Sequence, residues 1–315
     1  MKPRRTESTH QASLGAWSAL LGLSTLLLLA GCDAPPQNDY RPTLATERAN
    51  APQEREYLFS VHPLHNPTRL YEVFGPLMDY LSAQVPNAHF RLEAARNYAA
   101  YDERLYAGGP DFSLPNPYEA VRALDHGYVI FGKVADDADF HGIILTRRDS
   151  GIRTVSDLKG KAVSYPAPTA LAATMLPQHY LQTHGLDVMH DVETRYVGSQ
   201  ESSIMNVYLG DVAAGATWPP PWRALLKERP ELADSLEVKW ETESLPNIAL
   251  VAREDVPEDV LRQVAQLMFT LHENPEGRAI LERMELPRFE PADSATYEPV
   301  REFIRRFEAE VRPVE

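Results

Sequence analysis

Short apolar runs alternate with helical patterns along most of this chain, and the alternation occurs twice. The first series begins with residues 57–61, a run typical of a strand, followed by residues 69–84 with apolar side chains at helical spacing. The second series includes a strand over 162–165 and a helix over 171–183. Such alternation predicts an α/β fold with mainly parallel strands. We therefore predict two lobes, each a mostly parallel sheet flanked by helices.

The two series set the expected limits of the lobes. We predict that residues 57–145 and 247–315 form lobe 1 and that residues 146–246 form lobe 2. The chain would then cross between lobes near Leu145–Arg148 and again near Leu245–Ile248. Ligands of such folds bind at the carboxyl ends of strands and at helix N-termini. We therefore expect a binding cleft between the lobes.

The N-terminus predicts export. A basic start, with Lys2, Arg4 and Arg5, precedes an apolar run that ends in Leu-Ala-Gly-Cys at Cys32. A basic start, an apolar run and small residues mark a secretory signal. A Cys directly after the small residues is typical of a bacterial lipoprotein, whose Cys thiol is acylated. The apolar run is short for a single-pass anchor, which needs about 20 apolar residues.

We predict that residues 1–31 are a lipoprotein signal peptide and that residues 32–56, polar and Pro-rich, are a flexible tether. The mature protein would be periplasmic and held to a membrane by a lipid on Cys32. Asp33, next along the chain, resembles a signal for retention at the inner membrane.

Charge and motif content exclude several functions. The net charge is −14, and removing the basic signal peptide makes the remainder more acidic, which argues against nucleic acid as a partner. The single Cys precludes an internal disulfide. The sequence has no H-E-x-x-H, G-x-S-x-G or P-loop motif, so we expect neither an enzyme nor a cofactor. His62 and His65 are close enough for a metal pair, but two ligands from one loop are a weak signal.

A resemblance to a known family rests on several segments. Residues 146–161 (TRRDSGIRTVSDLKGK), 111–118 (DFSLPNPY) and 210–216 (GDVAAGA) are similar to segments of the substrate-binding proteins of phosphate, phosphite and phosphonate ABC transporters. The similarity covers about residues 57–286. It implies a type II periplasmic binding fold, a small-molecule ligand between the lobes, an ABC permease as partner and no catalysis.

The departures from that family concern the ligand. The family's Ser-Thr-Ser-Gly run corresponds to Ala170-Leu171-Ala172-Ala173 in this chain, and its G-S-H-D corresponds to 198–201 (GSQE). Each lost hydroxyl donor removes about 1 kcal/mol of anion binding. We therefore expect weak binding of methylphosphonate and phosphite, with dissociation constants above about 100 μM. The ligand would be an oxyanion, a phosphonate or a small organic solute.

Seven residues are candidates for contact with that ligand. They are His62, Asn116, Tyr118, Thr169, Ser199, Gln200 and Trp218. The resemblance implies Tyr118, which matches the position of a ligand-contacting aromatic of the family, and the others lie near a strand end or the start of a helix.

Each assignment has a structural alternative. Tyr118 could be a packing tyrosine, and Trp218 could be a wedge between the lobes. Thr169 and Ser199 could act as helix N-caps, the role we expect for Asn66 near His62.

Two functions therefore compete. The first is delivery of a small ligand to an ABC permease, and the second is presentation of a ligand to a membrane sensor by an accessory lipoprotein. Both require binding without catalysis, so the sequence barely separates them.

Overall fold

The computed structural model describes residues 54–314. The signal peptide, Cys32 and most of the predicted tether lie outside this range, and the first strand already begins at Arg55. The strands are β1 (Arg55–Val61), β2 (Ala88–Ala94), β3 (Phe112–Leu114), β4 (Tyr128–Val134), β5 (His141–Arg147), β6 (Ala162–Tyr165), β7 (Glu193–Tyr196), β8 (Ala214–Thr217), β9 (Leu236–Ser244), β10 (Ala249–Arg253) and β11 (Phe289–Pro291).

The helices cover the two faces of the sheets. They are α1 (Pro67–Gln84), α2 (Tyr98–Tyr106), α3 (Pro117–Ala123), α4 (Leu176–Thr183), α5 (Gln200–Leu209), α6 (Pro219–Glu228), α7 (Leu232–Ser235), α8 (Glu258–Phe269), α9 (Pro275–Met284) and α10 (Glu298–Glu310). A π-helical segment, Leu171–Met175, leads directly into α4. Within residues 54–314, none of the helices has the length and apolar character needed to cross a bilayer.

Two separate sheets confirm the predicted two-lobed α/β architecture. The first has the strand order β11-β4-β10-β3-β1-β2 and the second β7-β6-β8-β5-β9. We call the first sheet with its helices the first lobe, and the second sheet with its helices the second lobe. Both sheets are mixed. In the first, β1 pairs in parallel with β2 and β3, whereas β10 runs antiparallel to β3 and β4. In the second, β6 pairs in parallel with β7 and β8, whereas β5 runs antiparallel to β8 and β9. The share of antiparallel pairing exceeds the prediction, because strands next to a crossing enter their sheet from the opposite end.

The crossings between the sheets lie at two short segments. The chain leaves the first sheet after β4 and enters the second at β5, so this crossing is 135–140 and the prediction of Leu145–Arg148 was wrong. Residues 143–145 of β5 are buried and pair with both β8 and β9 of the second sheet. The return between β9 and β10 falls at 245–248, as predicted.

The start of α1 shows how local sequence positions the cleft. Asn66 is the N-cap of α1, as predicted, and its side chain accepts a hydrogen bond from the Arg69 amide at 3.1 Å. Pro67 occupies the first turn, where no amide donor is needed. The chain therefore turns sharply between the end of β1 and α1, and His62 lies at that turn.

Arg312, just beyond α10, links the C-terminal helix to the second lobe. Phe303 and Phe307 of α10 are fully buried in the core of the first lobe. Arg312 donates hydrogen bonds to the Pro168 carbonyl at 2.8 Å and to the Gln178 side chain at 3.0 Å. Arg312 is therefore one of the side chains that join the lobes in addition to the two crossings.

Candidate ligand-binding site

A small cavity of about 10 Å³ lies between the two lobes. Its lining combines apolar surface with a few polar side chains, as is usual for small-molecule sites. The lining residues are His62, Tyr98, Asn116, Phe140, Ala170, Leu171, Ala172, Ala173, Gln200 and Trp218. Four of the seven predicted contact residues are therefore brought together here: His62, Asn116, Gln200 and Trp218.

His62 follows the last residue of β1 and is almost completely buried. Its Nδ1 lies 2.9 Å from the Leu114 carbonyl oxygen. Because a carbonyl oxygen only accepts, Nδ1 carries the proton and Nε2 carries a lone pair. Burial lowers the pKa of His62 to about 4, so the imidazole is neutral at neutral pH.

Gln200 connects the lobes through a chain of hydrogen bonds. Thr217 donates its hydroxyl proton to Gln200 Oε1 at 2.8 Å, and Gln200 Nε2 donates to the Tyr98 hydroxyl at 3.2 Å. The Tyr98 hydroxyl therefore acts as an acceptor here, and its own proton is available at the cavity. Burial raises the pKa of Tyr98 and keeps it protonated.

Asn116 is the N-cap of α3 and also spans the cleft. Its Oδ1 accepts from the amides of Tyr118 and Glu119, and its Nδ2 donates to the Thr169 carbonyl at 3.2 Å. This side chain is therefore oriented by its own helix, and one Nδ2 proton contacts the second lobe.

The second lobe contributes backbone amides. Ala170 is the N-cap of the π segment and has no side-chain capping bond. The first three amides after it, those of residues 171–173, have no acceptor among the described residues. Unpaired amides at a helix start favour an anion. Gly142 of β5 lies directly behind, because a Cβ there would be 2.5 Å from the Ala172 carbonyl oxygen.

Two aromatic side chains close one side of the cavity. Trp218, at the N-cap of α6, is 2% exposed, and its ring packs edge-to-face on Phe140 with centroids 5.4 Å apart. Phe140 belongs to the first crossing between the sheets. The cavity therefore adjoins the segment on which a relative motion of the lobes would turn.

Three predicted contact residues lie elsewhere. Tyr118 is buried in the core of the first lobe. Ser199 caps α5, and its hydroxyl accepts from the Ser202 amide at 3.1 Å. Thr169 does not cap a helix, because Ala170 holds the N-cap position, and its hydroxyl donates across the cleft to Asp102 Oδ2 at 3.2 Å.

Asp102 and Glu119 form a buried carboxyl pair in the first lobe beside the cleft. Burial raises the pKa of Asp102 to about 6, and burial together with the Asp102 charge raises that of Glu119 well above its ordinary range. Asp102 Oδ1 and Glu119 Oε1 are both buried without another partner. A proton on Glu119 that is shared with Asp102 satisfies both oxygens.

Tyr98 and Phe140 line the cavity but were not predicted. Tyr98 had a usable signal, since it starts a helix directly after β2, at the kind of position that singled out the other candidates. Phe140 had none, because the sequence did not locate the first crossing.

The lining of the cavity therefore presents several donors and one acceptor to a small group. The donors are the three amides, the Tyr98 hydroxyl and the Asn116 amide group, and the acceptor is His62 Nε2. No Lys or Arg lines the cavity, so the site suits a ligand of low charge.

Comparison with known proteins identifies the family. The family model for periplasmic substrate-binding proteins of phosphonate ABC transporters matches residues 59–297. This chain belongs to that family. The family consists of substrate-binding transport proteins rather than enzymes, which agrees with the resemblance seen in the sequence.

Individual proteins resemble this chain in sequence or in structure. The phosphonates-binding periplasmic protein of Escherichia coli is 21% identical over 91% of this chain and 82% of its own. PhnD1 of Prochlorococcus marinus, solved with methylphosphonate, superposes with a TM-score of 0.74 at 19% identity, over 82% of this chain and 99% of its own. The tetrathionate sensor histidine kinase TtrS of Salmonella typhimurium is 30% identical over 39% of this chain, a match that spans only 22% of that kinase.

Proposed function

We propose that this chain is a lipid-anchored periplasmic binding protein that captures a small, weakly charged ligand between its lobes and delivers it to an ABC permease. The cavity between the lobes, with polar groups from both of them, is the observation that carries the proposal. Family membership supports the partnership with an ABC transporter.

Ligand entry requires the lobes to separate, because the cavity is nearly filled by its own lining. A cleft of about 280 Å³ shares Tyr98 with the cavity and is also lined by Asp102, Thr169 and Tyr196. On another side, Arg69 of α1 pairs with Glu228 of α6 across the lobes. We propose that the crossings at 135–140 and 245–248 act as hinges between an open and a closed form.

A ligand screen followed by X-ray scattering tests this function. Purified mature protein is screened by thermal shift against oxyanions, phosphonates and small organic solutes, and each hit is then measured by small-angle scattering. We expect a smaller radius of gyration at saturation, since the lobes close on the ligand. An unchanged radius with every saturating hit would contradict closure.

Lipid anchoring has its own test. The expected acceptor is Cys32, so Cys32→Ser should abolish incorporation of a palmitate analogue and leave the precursor uncleaved. Asp33→Ser is the matched control, because it should keep the label and alter only the choice of membrane. Label that persists on the Cys32 variant would contradict the anchor.

Sensing is the second candidate function, and the similarity to part of a sensor histidine kinase favours it. A protein of this kind would present its closed, ligand-bound form to a membrane receptor instead of a permease. Crosslinking in native membranes, with and without a hit from the screen, separates the two. Capture of a permease subunit supports delivery, whereas capture of a kinase or cyclase supports sensing.

A further inference from the structure

We infer that His62 selects a ligand whose anionic head group carries its own hydrogen-bond donor, an O–H or N–H that reaches His62 Nε2. This inference rests on the proposed binding function and narrows its ligand class. Three observations on the cavity carry it.

The first observation is the fixed orientation of the ring. Leu114 O accepts from both the His62 amide, at 3.1 Å, and His62 Nδ1, at 2.9 Å. The imidazole therefore cannot turn its Nδ1 proton toward the cavity without losing a buried hydrogen bond. The lone pair of Nε2 remains, and no described side chain donates to it.

The second observation is what shares the cavity with that lone pair. The free amides of residues 171–173 attract a negatively charged oxygen. A buried acceptor repels such an oxygen unless a proton lies between them. A ligand thus satisfies both parts of the site only if it has an acceptor for the amides and a donor for His62.

The third observation is the scarcity of alternative proton sources. The titratable neighbours of His62 among the described residues include Tyr98, whose ring centroid lies 6.2 Å away, and His65, whose pKa is lowered to about 3, chiefly by burial. Both imidazoles are neutral at neutral pH, and the one proton of His62 is held on Nδ1 by the Leu114 carbonyl. A donor for Nε2 must therefore be either the Tyr98 hydroxyl or a group on the ligand. Methylphosphonate as a monoanion carries one P–O–H, whereas methanesulfonate has a closely similar shape and charge but no such proton.

Calorimetric titration with these two probes at about pH 6 tests the inference. We expect methylphosphonate to bind at least about tenfold more tightly than methanesulfonate, even if both bind weakly. Methylphosphonate donates a hydrogen bond to His62 Nε2, whereas methanesulfonate leaves this buried acceptor unpaired. His62→Leu removes the acceptor and leaves Leu114 O paired with the backbone amide. It should reduce the preference to within about threefold.

His65→Leu is the matched control, because it makes the same change three residues on, outside the cavity. It should keep the full preference. If His62→Leu does not fold, ¹⁵N NMR of the wild-type imidazole gives the answer. Nε2 should keep the shift of a lone-pair nitrogen when methylphosphonate is bound.

The outcomes separate the inference from the proposed function. Equal or tighter binding of methanesulfonate to the wild type overturns the role of His62 but leaves ligand binding intact. If neither probe binds but other solutes from the screen do, the inferred head group is wrong and the proposed binding function stands. An Nε2 that becomes protonated on binding also overturns the inference, and a screen without any hit overturns the binding function itself.

Discussion

The two walls of the cleft use their polar groups differently. On the first-lobe wall, His62, Tyr98 and Asn116 are each fixed by a hydrogen bond that leaves a defined donor or acceptor at the cavity. On the second-lobe wall, residues 170–173 have no polar side chain and contribute backbone amides, and the side-chain amide of Gln200 is already bonded to Thr217 and Tyr98. The first wall can therefore discriminate among ligands, whereas the second supplies a general attraction for anions and an apolar shape.

We propose that this difference lets a fold of the phosphonate-binding family accept a different ligand. Backbone amides persist through almost any substitution, so the second wall keeps its anion preference when the family's hydroxyls are lost. Side chains on the first wall then decide which anion fits. The three predictions below test this division.

The largest expected effect concerns Trp218, the largest side chain that the second lobe contributes to the cavity. Trp218→Ala should lower the free energy of unfolding by about 3–5 kcal/mol, because a buried indole that packs on Phe140 is lost. It should also abolish binding of every screen hit, since the cavity loses one side. Chemical denaturation and calorimetry measure the two effects.

Trp222→Ala is the matched control. Trp222 is half-buried on α6 and does not line the cavity, so its loss should destabilise less and leave binding unchanged. Ligand binding that survives Trp218→Ala would show that the Trp218 side chain is not needed to shape the cavity.

A middle-sized effect concerns the carboxyl pair that supports the first wall. The raised pKa of Glu119 means that the folded protein keeps a proton that the unfolded chain releases above about pH 4.5. Stability should therefore fall as pH rises, by about 1.4 kcal/mol per pH unit up to the folded-state pKa. Glu119→Gln should remove this part of the slope and keep stability near that of the wild type at low pH.

Unfolding by urea between about pH 5 and pH 8 measures that slope. Both proteins share the opposite contribution of His62 and His65, whose lowered pKa values make stability rise with pH up to about 6.5. Glu103→Gln, on the exposed side of α2, is the control and should follow the wild type. Parallel curves for Glu119→Gln and wild type would mean that Glu119 is ionised in the folded protein.

The smallest effect comes from returning a hydroxyl to the second wall. Ala172→Ser places a donor where the related family has one, and it should tighten methylphosphonate binding by about fivefold, or about 1 kcal/mol. Ala167→Ser, buried nearby but outside the cavity, should leave the affinity unchanged. An unaltered affinity in Ala172→Ser would show that the backbone amides already satisfy the acceptor oxygens of the anion on this wall.

Most of the fold was predictable from the sequence because its elements carry local signals. Apolar periodicity marked the strands and helices, and Asn66 was identified as a cap from its position alone. The first crossing was misplaced because β5 follows β4 after only six residues and has the same apolar character. Which sheet a strand joins depends on partners such as β8 and β9, far along the chain.

The site was predictable only in part, for a related reason. The rule that strand ends and helix starts meet at the cleft led to His62, Asn116, Gln200 and Trp218, which line one cavity. The rule does not say what each side chain bonds to. Thr169 was expected at a helix cap or a ligand, yet its partner Asp102 lies 67 residues away in the other lobe.

The bonds of Arg312 have a mechanical consequence. A joint made of two short peptide segments would swing freely, but here a guanidinium at the end of α10 holds the Pro168 carbonyl and the Gln178 side chain. Any opening that separates those groups must release both bonds together. The joint would then behave as a latch with two positions rather than as a loose pivot, and the ligand-free protein would spend its time at one position or the other instead of drifting between them.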